Sequence, residues 1–198
     1  MWVVKIGGSL NGDPLLPQWL SLLAQLGGGG VTLVCGGGGF ADEVRRAQTH
    51  WHFDDVAAHN MAVLAMVQSA YMAHALQPML QPARDKAEIL QVLRGGHTAL
   101  WLPYEWLRDR PGPDTGWDTS SDSIALDLAR QLNAERLVVV KSCAIDPTAS
   151  LAALGETGVL DRRFAAIAAG ANFPIDVVHR AELARMRSLL IGEVRLDS

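Results

Sequence analysis

The sequence predicts an α/β fold, a three-layer αβα sandwich around a mainly parallel central sheet. Three observations predict it. Short, nearly continuous apolar runs, such as those at 2–6 and 31–35, alternate with longer stretches of helical period. That is the pattern of strands buried on both faces beneath covering helices. Glycine clusters at 7–8 and 36–39 follow directly on two of these runs, and ligands of such sheets bind beyond the carboxyl ends of the strands. No repeat, low-complexity tract or linker divides the 198 residues, a length that suits one domain.

Each element can be read in order. WVVKI at 2–6 is a buried strand that opens into the turn Gly7-Gly8-Ser9. A helix is predicted over 15–26. After the glycines at 27–30, which serve a tight turn, VTLVC at 31–35 is a second strand running into the glycines at 36–39. FADEVRRAQT at 40–49 reads as a helix, 56–80 as a long one and 85–94 as another. TALWL at 98–102 is a third strand, and Pro111-Gly112-Pro113-Asp114 marks a turn or ordered loop. Residues 121–132 are helical, with Ser120 or Ser121 as N-cap. RLVVV at 136–140 is a fourth strand ending at Lys141. A helix near 161–169, a strand at 175–178, a helix at 180–190 and a short strand at 193–196 complete the pattern.

Composition narrows the classes. A hydrophobic fraction of 49% with 19% charged residues is that of a globular protein with a filled core. The net charge of −4 supplies no basic field for nucleic acid or an anionic membrane. Cys35 and Cys143 each close an apolar run, which predicts two buried core thiols in a reducing compartment rather than a disulfide framework. The first four residues lack the basic and apolar regions of a signal peptide, and no apolar stretch is long enough to span a bilayer. The expectation is a soluble, cytoplasmic protein.

Chemistry concentrates at the strand ends. A glycine turn between strand and helix aims backbone N–H groups at an anion, and the helix N-terminus adds a favourable dipole. Both loops, 7–8 and 36–39, have that placement. Lys5 is one of only three lysines against fourteen arginines and lies inside an apolar strand. A buried ammonium needs a counter-charge, so Lys5 either reaches toward a phosphate beside Gly7 and Gly8 or snorkels from an edge strand. Lys141 ends a strand and serves nucleotide phosphates or caps its loop. Asp122 falls in the first turn of a helix, where it favours the dipole, orients a lysine or holds Mg²⁺. His50, His52, Asp54 and Asp55 crowd one segment, but their spacing fits no structural zinc pattern, and a polar rim beside an acceptor pocket suits them better. His59 starts the long helix and is placed to approach an anionic acceptor. A dinucleotide-binding reading fits poorly, because it needs Gly-x-Gly-x-x-Gly and an acid ending the second strand.

KIGGSL at 5–10, VCGGGGFADEVR at 34–45 and TSSDSIALDLA at 119–129 together resemble the amino acid kinase superfamily, which includes acetylglutamate, aspartate, uridylate and isopentenyl phosphate kinases. Finer stretches, AHNMAVLAM at 58–66, WDTSSDSIAL at 117–126 and FPIDVVHRAELARMRSLLIGE at 173–193, look most like the branch that phosphorylates [5-(aminomethyl)furan-3-yl]methyl phosphate in methanofuran and methylofuran biosynthesis. The resemblance implies one domain, with an acceptor part over about 1–110 and a nucleotide part over about 111–198, working with ATP and Mg²⁺ as a homo-oligomer. It implies Lys5 and Asp122 at the chemistry, with Asp122 organising the lysines. Gly7, Gly8, Ser9, Lys141 and Ser142 would face the nucleotide phosphates. Gly37, Gly38, Gly39, Arg45, His59, Trp117, Asp118, Thr119 and Ser120 would face the acceptor, and no side chain is assigned as a metal ligand. One departure stands out. The segment at 141–146 (KSCAID) lacks the glycine that family members carry at the nucleotide loop, so a second reading keeps the fold as a non-catalytic ligand-binding or assembly subunit.

Overall fold

The computed structural model describes residues 1–109, 117 and 120–192. Six strands form one all-parallel sheet: β1 (Trp2–Ile6), β2 (Val31–Cys35), β3 (Gln81–Ala83), β4 (Ala99–Trp101), β5 (Arg136–Lys141) and β6 (Ile175–His179), in the order β3-β4-β2-β1-β5-β6. The helices are α1 (Leu16–Leu26), α2 (Gly38–Trp51), α3 (Asp55–Leu76), α4 (Lys86–Arg94), α5 (Tyr104–Leu107), α6 (Ser121–Gln131), α7 (Leu151–Glu156), α8 (Arg162–Ala168) and α9 (Leu183–Ile191).

Alternation along the strands divides the core in two. Val4, Ile6, Leu33, Val138 and Val140 pack with Trp19, Leu20 and Leu23 of α1, Ala70 and Ala73 of α3 and Met186 of α9. Val3, Val34, Leu137 and Val139 face the other way, onto Ala125, Leu126 and Ala129 of α6 and Phe164 of α8. Lys5 alternates with Val4 and Ile6, so it points to the α6 side. The predicted α/β architecture is the observed one.

Several local expectations need correction. The long helix ends at Leu76 and not at 80, and β3, which the sequence did not announce, follows it. Pro78 lies just beyond the helix end, and Pro82 sits inside β3. Proline cannot continue a helix or donate to a central ladder, and β3 is at the sheet edge, where it is tolerated. TALWL is therefore the fourth strand. The short helices α5 and α7 were also unpredicted. Cys35 is buried as expected, but Cys143 is exposed, because β5 stops at Lys141 and the chain leaves the sheet before reaching it. The turn at 111–114 and the strand at 193–196 lie outside the described residues. Among those described, no helix is long and apolar enough to cross a membrane.

Candidate active site

Lys5 is 3% exposed and Asp122 1%. β1 and β5 are neighbours in register, Lys5 opposite Val139, so Lys141 lies two residues further along the same face of the adjacent strand. Above them α6 begins. Ser120 caps it, its hydroxyl accepting from the Asp122 amide at 3.1 Å, and this fixes Asp122 in the first turn. Lys5 Nζ donates to Asp122 Oδ1 at 2.5 Å and Lys141 Nζ to Asp122 Oδ2 at 2.7 Å. One buried carboxylate therefore spans two ammonium groups from adjacent strands. Burial pushes the Asp122 carboxyl up, but the charges of Lys5 and Lys141 outweigh it and hold the group below the usual aspartate range. For Lys5 burial dominates and lowers its pKa, aided by Lys141 and opposed by Asp122.

The two glycine loops emerge side by side because Ile6 pairs with Cys35 at the ends of β1 and β2. Their backbones touch. A Cβ on Gly8 would lie 2.1 Å from the Gly38 nitrogen, and one on Gly36 would lie 2.5 Å from the Gly8 nitrogen. Gly38 also has φ +54°, the left-handed region that favours glycine. The 36–39 loop is tied back by a polar chain, in which Asn11 Nδ2 donates to Ser69 Oγ at 2.8 Å and Ser69 Oγ reaches the Gly37 carbonyl at 3.3 Å. Ser9 and Ser142 hydroxyls meet at 2.6 Å across the gap between β1 and β5.

A cleft of about 480 Å³ opens beside the loops. It brings together Gly8, Ser9, Gly37, Gly38, Gly39, Arg45, His59, Trp117 and Ser120 from the predicted set. The Arg45 guanidinium lies 4.4 Å over the Trp117 ring and pairs with Asp42 at 2.8 Å. Trp117 Nε1 donates to Gln48 Oε1 at 2.6 Å, and His59 Nε2 donates to the Leu107 carbonyl at 3.1 Å. Lys5, Gly7, Lys141, Asp122 and Ser142 do not line this cleft. The Gly7 amide, expected to face a phosphate, instead donates to the Val140 carbonyl at 3.0 Å, extending the β1–β5 ladder. Asp118 and Thr119 lie outside the described residues.

The sequence reading missed Asp42, Met66, Ile124, Asp127 and Arg163, all of which line the cleft. Asp42 and Asp127 sit within the glycine-loop and α6 motifs, so their place was findable. Met66 and Ile124 read as ordinary core, and Arg163 arrives from a distant helix. Of the His/Asp segment, Asp54 caps α3 by accepting from the Ala57 amide at 2.7 Å, and Asp55, also in the cleft wall, accepts from Gln48. Among the described residues no group of three or more His, Cys, Asp and Glu side chains is placed to hold a metal ion.

A parallel sheet with glycine loops and paired lysines at its carboxyl edge defines a class, the small-molecule kinases of α/β fold. Residues 1–144 match the amino acid kinase family model, and the chain belongs to that family. It is a small-molecule kinase, and the family implies the use of ATP. Among solved structures it is similar to uridylate kinase from Archaeoglobus fulgidus, at 15% identity and TM-score 0.70, over 96% of this chain and 95% of that one. It is also similar to an isopentenyl phosphate kinase, at 14% identity and TM-score 0.60, over 97% and 96% of the two chains. No curated protein matches the sequence.

Proposed function

We propose that the protein transfers the γ-phosphoryl of Mg·ATP to the phosphate of [5-(aminomethyl)furan-3-yl]methyl phosphate, giving the diphosphate. The observation that carries the kinase reading is the convergence of Lys5 and Lys141 on Asp122 beneath the two touching glycine loops. Phosphoryl transfer needs positioning and charge neutralisation more than covalent chemistry. Lys5 supplies a fixed ammonium, Asp122 holds both lysines in place, and the amides of Gly8 and Ser9 face the moving group, while the Gly7 amide is spent on the Val140 carbonyl at 3.0 Å. The acceptor attacks directly, without a phosphorylated protein intermediate.

The acceptor assignment rests on the family resemblance, and the chemistry of the cleft supports it. Glycine amides and the Arg45 and Arg163 side chains suit a phosphate. Met66, Ile124 and Trp117 suit a flat ring. The carboxylates of Asp42, Asp55 and Asp127 suit an ammonium. Acceptor binding then falls on residues 1–110 with Trp117 and Ser120 at its border, and the nucleotide lies over Lys141, Ser142 and the C-terminal part. Magnesium favours oxygen ligands and retains water. Both Asp122 oxygens are engaged by lysines, so the ion would be carried by the nucleotide phosphates, whose charge it neutralises.

A homo-oligomer in the cytoplasm completes the proposal. Along α3, Met61, Leu64, Gln68, Tyr71 and Ala75 are exposed at three- and four-residue spacing, an uncharged stripe that suits a second copy of the chain.

The test is a coupled assay of ATP against the aminomethylfuran phosphate, UMP and isopentenyl phosphate. Turnover with the first and not with the others supports the assignment, and turnover with either of the others reassigns the acceptor. The glycine-free segment after β5, at 141–146, favours a second reading, a ligand-binding subunit without turnover. Nucleotide binding with no transfer to any acceptor would establish it.

A further inference from the structure

Asp161 belongs to no motif and lies thirty-nine positions beyond Asp122 (161 − 122), yet its carboxylate is the most heavily used in the region. It is the N-cap of α8, accepting from the Phe164 amide at 2.6 Å. The same carboxylate accepts from the Ser120 hydroxyl at 2.6 Å and the Ser123 hydroxyl at 2.7 Å. The Ser120 and Ser123 amides also reach it, at 3.2 and 3.3 Å. Two helix N-termini thus share one carboxylate, which both dipoles and all five donors favour.

The donors bracket Asp122 on both sides. Ser120 and Ser123 are clamped by Asp161, and the Ser120 hydroxyl is in turn the cap that receives the Asp122 amide. With the first turn held from behind, the Asp122 side chain is left to face Lys5 and Lys141. Arg163, two residues beyond Asp161 on α8, lines the cleft, so the clamp also joins a cleft wall to the lysine centre.

We propose that Asp161 is a positioning residue for phosphoryl transfer: by clamping the first turn of α6 it sets where Asp122 holds Lys5 and Lys141. The proposal rests on the kinase reading above. Burial lowers the Lys5 pKa and Asp122 opposes that most strongly, with Asp161 acting in the same sense from behind. A displaced turn moves the ammonium groups from the phosphoryl path, and a misplacement of about 1 Å can cost about 100-fold in rate.

The experiment compares Asp161→Asn with Asp85→Asn. Asp85 is also an N-cap carboxylate, on α4 and away from the cleft, accepting from the Glu88 amide at 2.8 Å. Both variants lose cap stability. Only Asp161→Asn is expected to lower kcat per folded enzyme, by about 10- to 100-fold with KM nearly unchanged. In an Asp122→Asn background it should lower kcat no further, because it acts through Asp122. Ser123→Ala, which removes a single hydroxyl donor, gives a milder version should Asp161→Asn fold poorly.

A second readout does not need turnover. The chain has three lysines, Lys5, Lys86 and Lys141, so ¹³Cε-lysine labelling gives three side-chain NMR signals, assigned with single Lys→Arg variants. Asp161→Asn should shift the Lys5 and Lys141 signals and leave Lys86, which donates to the Gln131 carbonyl. Wild-type kcat per folded enzyme, or unmoved Lys5 and Lys141 signals, overturns the proposal. If the wild type transfers phosphate to no acceptor, the kinase reading fails, and the lysine signals still decide the role of Asp161.

Discussion

Gly8 and Gly38 are in backbone contact, and the missing Cβ of Gly8 is what permits it, since that atom would lie 2.1 Å from the Gly38 nitrogen. Sequence distance hides the relationship, because the residues belong to loops after different strands. Adjacency of β1 and β2 creates it.

Gly8→Ala should therefore separate the two loops. The added methyl meets backbone, which cannot rotate away, so a loss of about 1–3 kcal/mol is expected together with loss of transfer. Gly39 has open space around its Cβ position, and Gly39→Ala should fold with nearly wild-type stability. Chemical denaturation of both variants checks the contrast, and equal stabilities would show that the loops yield.

Lys5→Met is expected to keep the fold, because Asp122 retains Lys141 as a partner. Removing a fixed ammonium from a dry site should lower kcat by about 10²–10³-fold, with little change in KM for ATP or acceptor. Lys5→Arg should not restore it, since the planar fork is bulkier and differently hydrated. Steady-state kinetics on the two variants decide the matter. An unchanged kcat with a raised KM assigns Lys5 to binding alone.

Asp122→Asn should lower stability as well as turnover. It strips the counter-charge from buried Lys5, and breaking a buried pair costs about 3–5 kcal/mol. A residue that only favoured the helix dipole would cost about 0.3–1 kcal/mol. The pH dependence follows from the sign of the shift. The folded Asp122 carboxyl lies below its ordinary value of 3.8, so its contribution is complete above that pH and fades as acid titrates it below. The stability gap between wild type and Asp122→Asn should be constant from neutral pH down to the ordinary value and shrink only beneath it. A gap that closes at higher pH contradicts the assignment.

Thiol labelling should separate the two cysteines. Burial pushes the Cys35 thiol up to about 12, against a smaller opposing effect of Lys5, so at pH 8 it carries almost no reactive thiolate. Cys143 is exposed. Native protein should take up one equivalent of an alkylating reagent and denatured protein two, as read by mass spectrometry. Rapid uptake of two by the native chain would mean that Cys35 is reachable.

If the uncharged stripe on α3 pairs two copies, Leu64→Glu with Tyr71→Glu should yield monomer without unfolding. Both side chains are outward, at 40% and 57% exposure. Light scattering on wild type and variant checks this, and identical masses would remove α3 from any interface.

The sequence alone determined the α/β class, the placement of β1, β2, β4, β5 and β6, a helix N-cap at Ser120 or Ser121, of which the structure takes Ser120, and the exceptional position of Lys5. Each is a local property, carried by apolar periodicity, by glycine after a strand or by a charge inside an apolar run. It did not determine β3 at the edge, where two prolines disguise a strand, or the exposure of Cys143, which depends on where β5 stops. Above all it left open whether Asp122 favours a dipole or holds lysines, and it gave no sign of Asp161. Those answers belong to tertiary structure. Parallel pairing of β1 with β5 sets Lys5 and Lys141 side by side, α6 lowers one carboxylate between them, and α8 returns thirty-nine residues later (161 − 122) to fasten that turn. Contacts at such separations depend on how strands order and helices pack, which no local pattern encodes.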